Sequence, residues 1–455
     1  MRDVRRRWAM GLVLSFALCT PAIATSPEPS KPPNIILIYA DDLGWGDVGF
    51  NGRKEWATPN LDRLAAQGTV FRRFYTAAVT CAPSRAALLT GKSTIHCGVS
   101  RNNDDLPAGE VTLAEALKPQ GYETALFGKW HRGAPSKGVN PHHPMDQGFD
   151  EFYGFTDAKH AWEQYPEELY EGRELKPASG YANDLFTDRA VDYLRRKKDS
   201  TFFLYLPYIA THFYIQAPPE EIERHKGKFP EDDPAQPLNA TYAAMVTRLD
   251  RNIGRVLDTL GELKLDERTI VIFTSDHGAT FESGNQGTSY ALDSNHPFRG
   301  QKRTLWEGGI RVPGVVRWSG HVPAGKVSDE IIQMTDLFPT LLAAAGTVPD
   351  PSWHVDGIDV LPTLLGRGPA PERTLFWEWR SEGSFQLAAM RGRFKLMIVD
   401  GGSPEMYDVE ADPGELRNAI AQQAELAGQL RSELKEWLKT EIRDGAVSPS
   451  PRPID

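Results

Sequence analysis

The chain has 455 residues, of which 40% are hydrophobic and 25% are charged. These values are ordinary for globular proteins, and the length suffices for a large α/β domain with a smaller second one. The formal net charge of −10 argues against an extended basic face and therefore against nonspecific binding of nucleic acid. Any anion site in this acidic chain must be a local basic pocket.

The first 24 residues have the pattern of an export signal. An arginine cluster at 5–7 precedes an apolar run over residues 10–19, and Ala22-Ile23-Ala24 is typical of a cleavage site. The alternative of a stable membrane anchor is disfavoured because the apolar run is short for a bilayer. The arginine cluster leaves a twin-arginine route open. We expect a signal peptide over 1–24, a linker over 25–32 and a periplasmic or secreted protein.

Buried-strand patterns then alternate with stretches of helical spacing. In chain order they predict a strand at 35–40, helices at 58–67 and 113–118, a strand at 124–127, a helix at 185–198, a strand at 202–206, a helix at 242–263 and a strand at 269–274. This alternation predicts an α/β fold with a mostly parallel central sheet and helices on both faces.

The composition changes after Leu365. Residues 366–371 are rich in glycine and proline and indicate a boundary. Short strands are predicted at 374–379, 386–391 and 394–399, and helical spacing over 415–438 predicts a helix that packs on their antiparallel sheet. We therefore predict a main domain over 33–365, a C-terminal subdomain over 366–446 and a disordered, proline-rich tail over 447–455.

Titratable side chains follow several of the predicted strands. Asp41 and Asp42 follow the first strand, Asp276 and His277 follow the strand at 269–274, and His212 comes shortly after the strand at 202–206. Ligands of open α/β sheets bind beyond the carboxyl ends of the strands. Neighbouring carboxylates repel unless a cation lies between them, and calcium is the simplest hard cation for oxygen ligands. For either aspartate pair alone, capping or turn formation remains the alternative.

Two short motifs carry the most specific signal. The first is Cys81-Ala82-Pro83-Ser84-Arg85, followed by Thr90-Gly91-Lys92. The second is Gly121-Tyr122-Glu123-Thr124, followed by Gly128-Lys129-Trp130-His131. Together they resemble the two signatures of the type I, formylglycine-dependent sulfatases of the alkaline-phosphatase-like superfamily. The resemblance covers residues 33–365, which makes this stretch the expected catalytic domain, with a weaker match at 406–408 and 412–413.

This resemblance implies a modified nucleophile and a metal. A maturation enzyme that generates formylglycine would oxidise Cys81 to an aldehyde, whose hydrate attacks the sulfur of a sulfate ester. The metal ligands of the family fall on Asp41, Asp42, Cys81, Asp276 and His277. Many members have asparagine where this chain has His277.

The resemblance also implies roles for the remaining site residues. Arg85 would steady the formylglycine, whereas Lys129 and His131 would touch the sulfate and the aldehyde hydrate. His212 aligns with a histidine that contacts the sulfate or the leaving oxygen, and Lys302 matches the last sulfate-binding lysine. The implied activity is hydrolysis of sulfate esters, and export favours a sulfated carbohydrate as substrate.

Four alternatives remain. In an exported protein, Cys81 and Cys97 suit a disulfide, but the second signature favours modification of Cys81. A phosphomonoesterase or phosphonate hydrolase of the same superfamily would share the architecture, although Lys129 and Lys302 favour sulfate. An inactive sulfated-glycan binding protein would have no need of the cysteine motif. Finally, a sugar site or ordinary loop packing would account for the aromatic and histidine residues between 132 and 181, namely His142, His160, Trp162 and Tyr165.

Overall fold

The computed structural model describes residues 31–131, 142–381 and 383–439. The predicted signal peptide, most of the predicted linker and the predicted tail lie outside these residues.

Fifteen strands occur within the described ranges. They are β1 Asn34–Ala40, β2 Thr69–Tyr75, β3 Glu123–Lys129, β4 Glu151–Phe155, β5 Glu168–Glu171, β6 Glu174–Pro177, β7 Phe202–Pro207, β8 Thr269–Ser275, β9 Arg311–Val312, β10 Gly314–Arg317, β11 Lys326–Gln333, β12 Thr374–Ser381, β13 Ser384–Arg391, β14 Phe394–Val399 and β15 Glu405–Asp408.

The same ranges contain eleven α-helices. They are α1 Pro59–Ala66, α2 Cys81–Thr90, α3 Leu113–Leu117, α4 Ala182–Arg196, α5 Pro219–His225, α6 Leu238–Glu262, α7 Thr288–Ala291, α8 Glu307–Ile310, α9 Leu337–Ala344, α10 Leu361–Leu364 and α11 Ala424–Lys439.

Strand β1 lies at the centre of the large sheet, parallel to β7 on one side and to β8 on the other. The sheet order is β11-β2-β10-β8-β1-β7-β3-β4-β5-β6, with β9 paired to β2. The central strands β8, β1, β7, β3 and β4 are all parallel, whereas β10, β5 and β6 run antiparallel to their neighbours. The predicted α/β fold with a mostly parallel central sheet is confirmed.

Helices cover both faces of this sheet. Alternate residues of β1 point to opposite faces, as the pleat requires. Ile36 and Ile38 belong to an apolar cluster shared with α4 and α6, whereas Ile35 and Leu37 belong to a second cluster shared with α2 and α9. Because β1 is buried on both faces, its sequence is a continuous apolar run and not an alternating one.

A second, antiparallel sheet has the order β12-β13-β14-β15. One face packs on α11 through Leu387, Leu396, Leu430 and Leu434. The other face joins a cluster that includes Tyr75 and Leu305 of the large domain. The predicted small antiparallel sheet with a packed helix is therefore confirmed.

The start of the last helix was predicted incorrectly. Helical spacing predicts a helix from residue 415, but α11 begins at Ala424. Glu415 has a φ of 51°, in the left-handed region that a right-handed helix excludes. Its carboxylate is buried and lies 2.7 Å from Nζ of Lys395. A long-range ion pair therefore overrides the local pattern.

None of the helices within the described ranges is both long enough and apolar enough to cross a membrane.

Candidate active site

The carboxyl ends of the central strands bring the predicted acidic residues together. Ala40 at the end of β1 lies opposite Ser275 at the end of β8. Asp41 and Asp42 follow β1, and Asp276 and His277 follow β8, so the two pairs share one edge of the sheet. All four side chains are buried.

Backbone geometry fixes how these turns meet. Oδ1 of Asp276 accepts hydrogen bonds from the backbone N–H groups of Asp42 and His277, each at 3.0 Å. Asp42 itself has a φ of 60°, a strained value for a residue with a Cβ. Gly278 follows His277, and a Cβ there would lie 1.7 Å from the carbonyl oxygen of Gly308. The turn after β8 therefore requires glycine at this position.

Cys81 is the first residue of α2 and lies at the floor of the site. Its side chain is 1% exposed, and its Sγ lies 3.4 Å from Nε2 of His277. Oδ1 of Asn102 accepts a hydrogen bond from the N–H of Ala82 and so caps an orphan donor in the first turn of the helix. The structure shows no disulfide between Cys81 and Cys97, so that alternative is not supported. Cys97 packs instead in a small apolar cluster.

Three buried cations surround the carboxylates. Nζ of Lys129 lies 2.5 Å from Oδ2 of Asp41, and Nζ of Lys302 lies 3.0 Å from Oδ1 of Asp42. Arg85, one turn along α2 from Cys81, lies 3.3 Å from Asp276 and 3.5 Å from Asp41. It also donates to the carbonyl oxygen of Lys129 at 3.0 Å. Arg85 thus joins the helix of Cys81 to both acidic turns.

The carboxylates differ in their proton affinities because their surroundings differ. Burial alone would favour the neutral acid, but Lys129, His212 and Arg85 hold the pKa of Asp41 well below its ordinary value. Burial raises the pKa of Asp42 to about 6 despite the opposing charge of Lys302. Burial and the charge of Asp41 raise the pKa of Asp276 well above its ordinary value. The crowded carboxylates therefore favour an additional positive charge.

Two histidines present Nε2 to this site. Nδ1 of His277 lies 3.0 Å from the carbonyl oxygen of Gly278, and Nδ1 of His212 lies 2.8 Å from that of Phe213. A carbonyl only accepts, so each Nδ1 carries a proton. Burial, reinforced by Lys302 for His277 and by Lys129 for His212, lowers both pKa values well below the ordinary value. In the neutral form each Nε2 therefore offers a lone pair.

The donor set fits a divalent cation. One atom each from Asp42, Cys81, Asp276 and His277 lie within 4.8 Å of one another, and the same holds for Asp41, Asp42, Cys81 and His212. Oδ1 of Asp41 is buried and has no hydrogen-bond partner within the described residues. Nε2 of His277 lies 3.5 Å from Asp42 and 3.6 Å from Asp276. Carboxylate oxygens are preferred ligands of hard cations.

A cleft of about 640 Å³ opens above Cys81. His131, His212 and Lys302 line its inner part, and aromatic side chains stand farther out. One of these, Trp379, comes from β12, so the small sheet contributes to the cleft. This volume lies in the range of sites that hold a whole small molecule.

All the residues that the sequence predicted for the site lie in or beside this one cluster. Four of them line the open cleft, namely Cys81, His131, His212 and Lys302. Arg85 is not among the lining residues and instead contacts the carboxylates of Asp41 and Asp276. Among the loop residues considered for a sugar site, Trp162 lines the cleft, whereas Tyr165 lies in a separate groove and packs against Tyr181.

Sequence reasoning missed several residues of the site. Oε2 of Glu282 lies 3.1 Å from Nζ of Lys302, and its other oxygen lies 2.6 Å from Nε of Arg303. Asn102 and Trp379 were also missed. None of the three stands in a motif, and Trp379 lies almost three hundred positions after Cys81 in the chain. For Glu282 alone, its position shortly after the acidic turn of β8 was a usable signal.

Two protein-family models match this chain. The sulfatase family model matches residues 33–347, and a model described as N-sulphoglucosamine sulphohydrolase, C-terminal, matches residues 296–443. The crystal structure of Ps i-CgsB in complex with k-i-k-neocarrahexaose superposes with a TM-score of 0.81 at 29% identity, covering 89% of this chain and 92% of that one.

Curated relatives are similar over most of the chain. N-acetylgalactosamine-6-sulfatase of Mus musculus is 35% identical over 81% of this chain and 72% of its own length. Arylsulfatase A of Homo sapiens is 32% identical over 95% of this chain and 92% of its own length. With the family model covering more than half of the chain, the sequence and the site lead to one assignment: the protein belongs to the sulfatase family and is a sulfuric ester hydrolase.

Proposed function

We propose that this protein is an exported sulfatase that hydrolyses sulfate esters of a carbohydrate, with Cys81 converted to formylglycine and one divalent cation, calcium, beside it. The observation that carries the proposal is the position of Cys81. It begins a helix at the floor of a cleft, 3.4 Å from Nε2 of His277, next to three buried carboxylates.

The surroundings of Cys81 disfavour an unmodified thiolate as the nucleophile. Burial raises the pKa of the thiol far above its ordinary value, although Lys129 and Lys302 oppose this. A thiolate, the reactive form of cysteine, would therefore be scarce near neutral pH. Cys81 is not joined to Cys97, so that disulfide does not compete with oxidation by a formylglycine-generating maturation enzyme.

The proposed ligands of the cation are Asp41, Asp42, Asp276, His277 and the oxygen of modified Cys81. The unpartnered Oδ1 of Asp41 and the unprotonated Nε2 of His277 support this set. Formylglycine supplies an oxygen nucleophile in its hydrated form, and the cation supplies positive charge that polarises the sulfate.

The remaining steps belong to residues of the chain. A cation held by the carboxylates would take over the pairing of Asp41 and Asp42, and Lys129 and Lys302 would then be able to bind sulfate oxygens. Their charges offset the negative charge that moves onto the leaving oxygen as the S–O bond breaks. Arg85 holds the helix of Cys81 against Asp41 and Asp276 and so fixes the position of the nucleophile relative to these carboxylates.

We assign the two remaining histidines to the sulfate and to the leaving group. His131 follows β3 with a φ of 57°, is buried and lines the cleft beside Cys81. His212 directs Nε2 into the site because its Nδ1 is held by the carbonyl of Phe213. In the neutral form Nε2 of His212 only accepts, so it must first gain a proton before it can protonate the leaving oxygen. The hydroxyl of the formylglycine hydrate loses a proton as it attacks and is the source of that proton in the proposed reaction.

A carbohydrate is the favoured substrate class. Two of the compared proteins are described with a sugar: one is N-acetylgalactosamine-6-sulfatase, and the other is Ps i-CgsB in complex with k-i-k-neocarrahexaose. Three aromatic side chains line the cleft, namely Trp162, Phe213 and Trp379. Their flat faces are suited to contact with sugar rings. Export after cleavage at Ala24 would deliver the enzyme to such glycans. N-terminal sequencing of the exported protein tests this step, because cleavage at this site predicts a chain that begins at residue 25.

The decisive experiment combines mass analysis with turnover. In active protein, the peptide that contains Cys81 is expected to carry the aldehyde in place of the thiol. Cys81→Ala should abolish hydrolysis of both an aryl sulfate and sulfated sugars, whereas Cys97→Ala, a matched substitution of a second buried cysteine, should be tolerated. Full activity with an unmodified thiol at Cys81 would refute the mechanism. Faster hydrolysis of matched phosphate esters would establish a phosphatase instead.

A further inference from the structure

The cleft carries more positive charge than one sulfate ester requires. Among the described residues, four cationic side chains line it, namely Arg101, Lys302, Arg303 and Arg380, whereas Glu282 is the only carboxylate. The chain as a whole has a net charge of −10. A local excess of positive charge in such a protein favours an anionic ligand.

Three of the four cations are already paired. Lys302 lies beside Asp42 and Glu282. Arg303 lies 2.6 Å from Glu282, and Arg380 lies 2.8 Å from Glu378. The guanidinium of Arg101 has no carboxylate within ion-pair distance in the described parts of the chain, and it is exposed on the cleft wall.

The backbone of Arg101 is held in place although its side chain is exposed. Oδ2 of Asp104 accepts hydrogen bonds from the N–H groups of Ser100 and Arg101, at 3.0 and 2.7 Å. The next residue, Asn102, accepts from Ala82 at the first turn of α2. Arg101 is thereby tied to the helix that begins with Cys81, so its position relative to the nucleophile is defined.

We propose that Arg101 determines substrate specificity by binding a second anionic group of the substrate, a carboxylate or a further sulfate, while the scissile sulfate lies at Cys81. A planar guanidinium donates two parallel hydrogen bonds to either anion. A cleft of about 640 Å³ has room for a substrate much larger than one sulfate group. This inference rests on the proposed sulfatase function.

The test compares matched substrates on the wild type and on Arg101→Gln. One pair is N-acetylglucosamine-6-sulfate and glucosamine-2-N,6-O-disulfate, in which an N-sulfate replaces the neutral N-acetyl group. The other pair is a hexuronate-linked N-acetylgalactosamine-6-sulfate disaccharide and its carboxyl-reduced form. Hydrolysis of an aryl sulfate measures the sulfatase activity on a substrate without a second anionic group. Arg367→Gln is the control, because Arg367 is exposed, has no ion-pair partner in the described ranges and lies away from the cleft residues.

The wild type is expected to prefer the doubly charged member of at least one pair. Arg101→Gln should reduce kcat/KM for that member about tenfold more than for its singly charged partner, as loss of a charge-assisted hydrogen bond predicts. Arg101→Lys should restore part of the preference, and Arg367→Gln should retain all of it. The pair that responds identifies the second anion as sulfate or carboxylate.

Two other outcomes overturn the inference. In the first, the wild type shows no preference for either doubly charged substrate. Hydrolysis of the aryl sulfate alone also counts as this outcome, and in both cases the sulfatase assignment stands. The other is an equal loss on both members of a pair in Arg101→Gln. Absence of turnover on every sulfate ester by protein with modified Cys81 would instead overturn the proposed function and, with it, this inference.

Discussion

Replacement of Lys395 by methionine tests the contact that joins the small sheet to the active-site domain. Lys395 lies on β14, and its Nζ contacts three oxygens: the carbonyl of Leu305 at 3.0 Å, Glu307 at 2.9 Å and Glu415 at 2.7 Å. The side chains of all three charged residues are fully buried. Leu305 lies three residues after Lys302, so this contact also fixes the segment that carries the proposed sulfate-binding lysine.

Methionine keeps most of the volume of lysine but leaves the buried Glu415 without its cation and the buried Glu307 with Arg311 alone, at 3.4 Å. Loss of one partner from a buried ion pair costs about 3–5 kcal/mol of stability. We therefore expect Lys395→Met to lower the free energy of unfolding by an amount in this range and to shift the urea midpoint down by about 1 M. Lys439→Met is the control, because Lys439 lies 2.7 Å from Glu436 but both side chains are 70% exposed. Its effect should be small.

The pH dependence distinguishes lost charge from lost packing. Burial raises the pKa of Glu415 to about 7 even with Lys395 present, whereas Lys395 holds the pKa of the buried Glu307 below its ordinary value. Without Lys395 the folded-state pKa of Glu415 rises further above the unfolded value, and that of Glu307 rises although Arg311 remains beside it. The folded variant therefore binds more protons and loses stability as pH increases. The deficit should be larger at pH 8 than at pH 6. An equal deficit at both values would refute the electrostatic argument.

Three further predictions concern turnover. Lys302→Ala should lower kcat by about 10²–10³-fold, because its charge acts in the transition state; a rise in KM with unchanged kcat would mean that it only binds substrate. His212→Ala should reduce hydrolysis of a sugar sulfate more than that of an aryl sulfate, whose leaving group needs no proton, and equal losses would remove the general-acid role. Chelation should abolish activity and calcium restore it, with about one ion per chain by metal analysis. Asp42→Ala should lose metal and activity together, and full activity of metal-free protein would contradict the cation site.

Local sequence patterns determined much of this protein. The continuous apolar run before Asp41 predicted β1 because a strand covered on both faces needs no polar side. The parallel sheet followed from the alternation of strands and helices, and the strand-end rule anticipated that Asp41, Asp42, Asp276 and His277 would meet. Formylglycine at Cys81 remains a prediction, since its support is the motif and the surroundings described above.

Only the tertiary structure decided which distant groups complete the site. Glu282 contacts Lys302, Asn102 caps the helix of Cys81, and Trp379 reaches the cleft from the second sheet. The same holds for the start of α11, where Glu415 pairs with Lys395 and the nine residues 415–423 of the predicted helix lie outside the helix that begins at Ala424. These contacts join residues far apart in the chain, and their free energy depends on burial and distance. A local pattern of residues contains neither quantity.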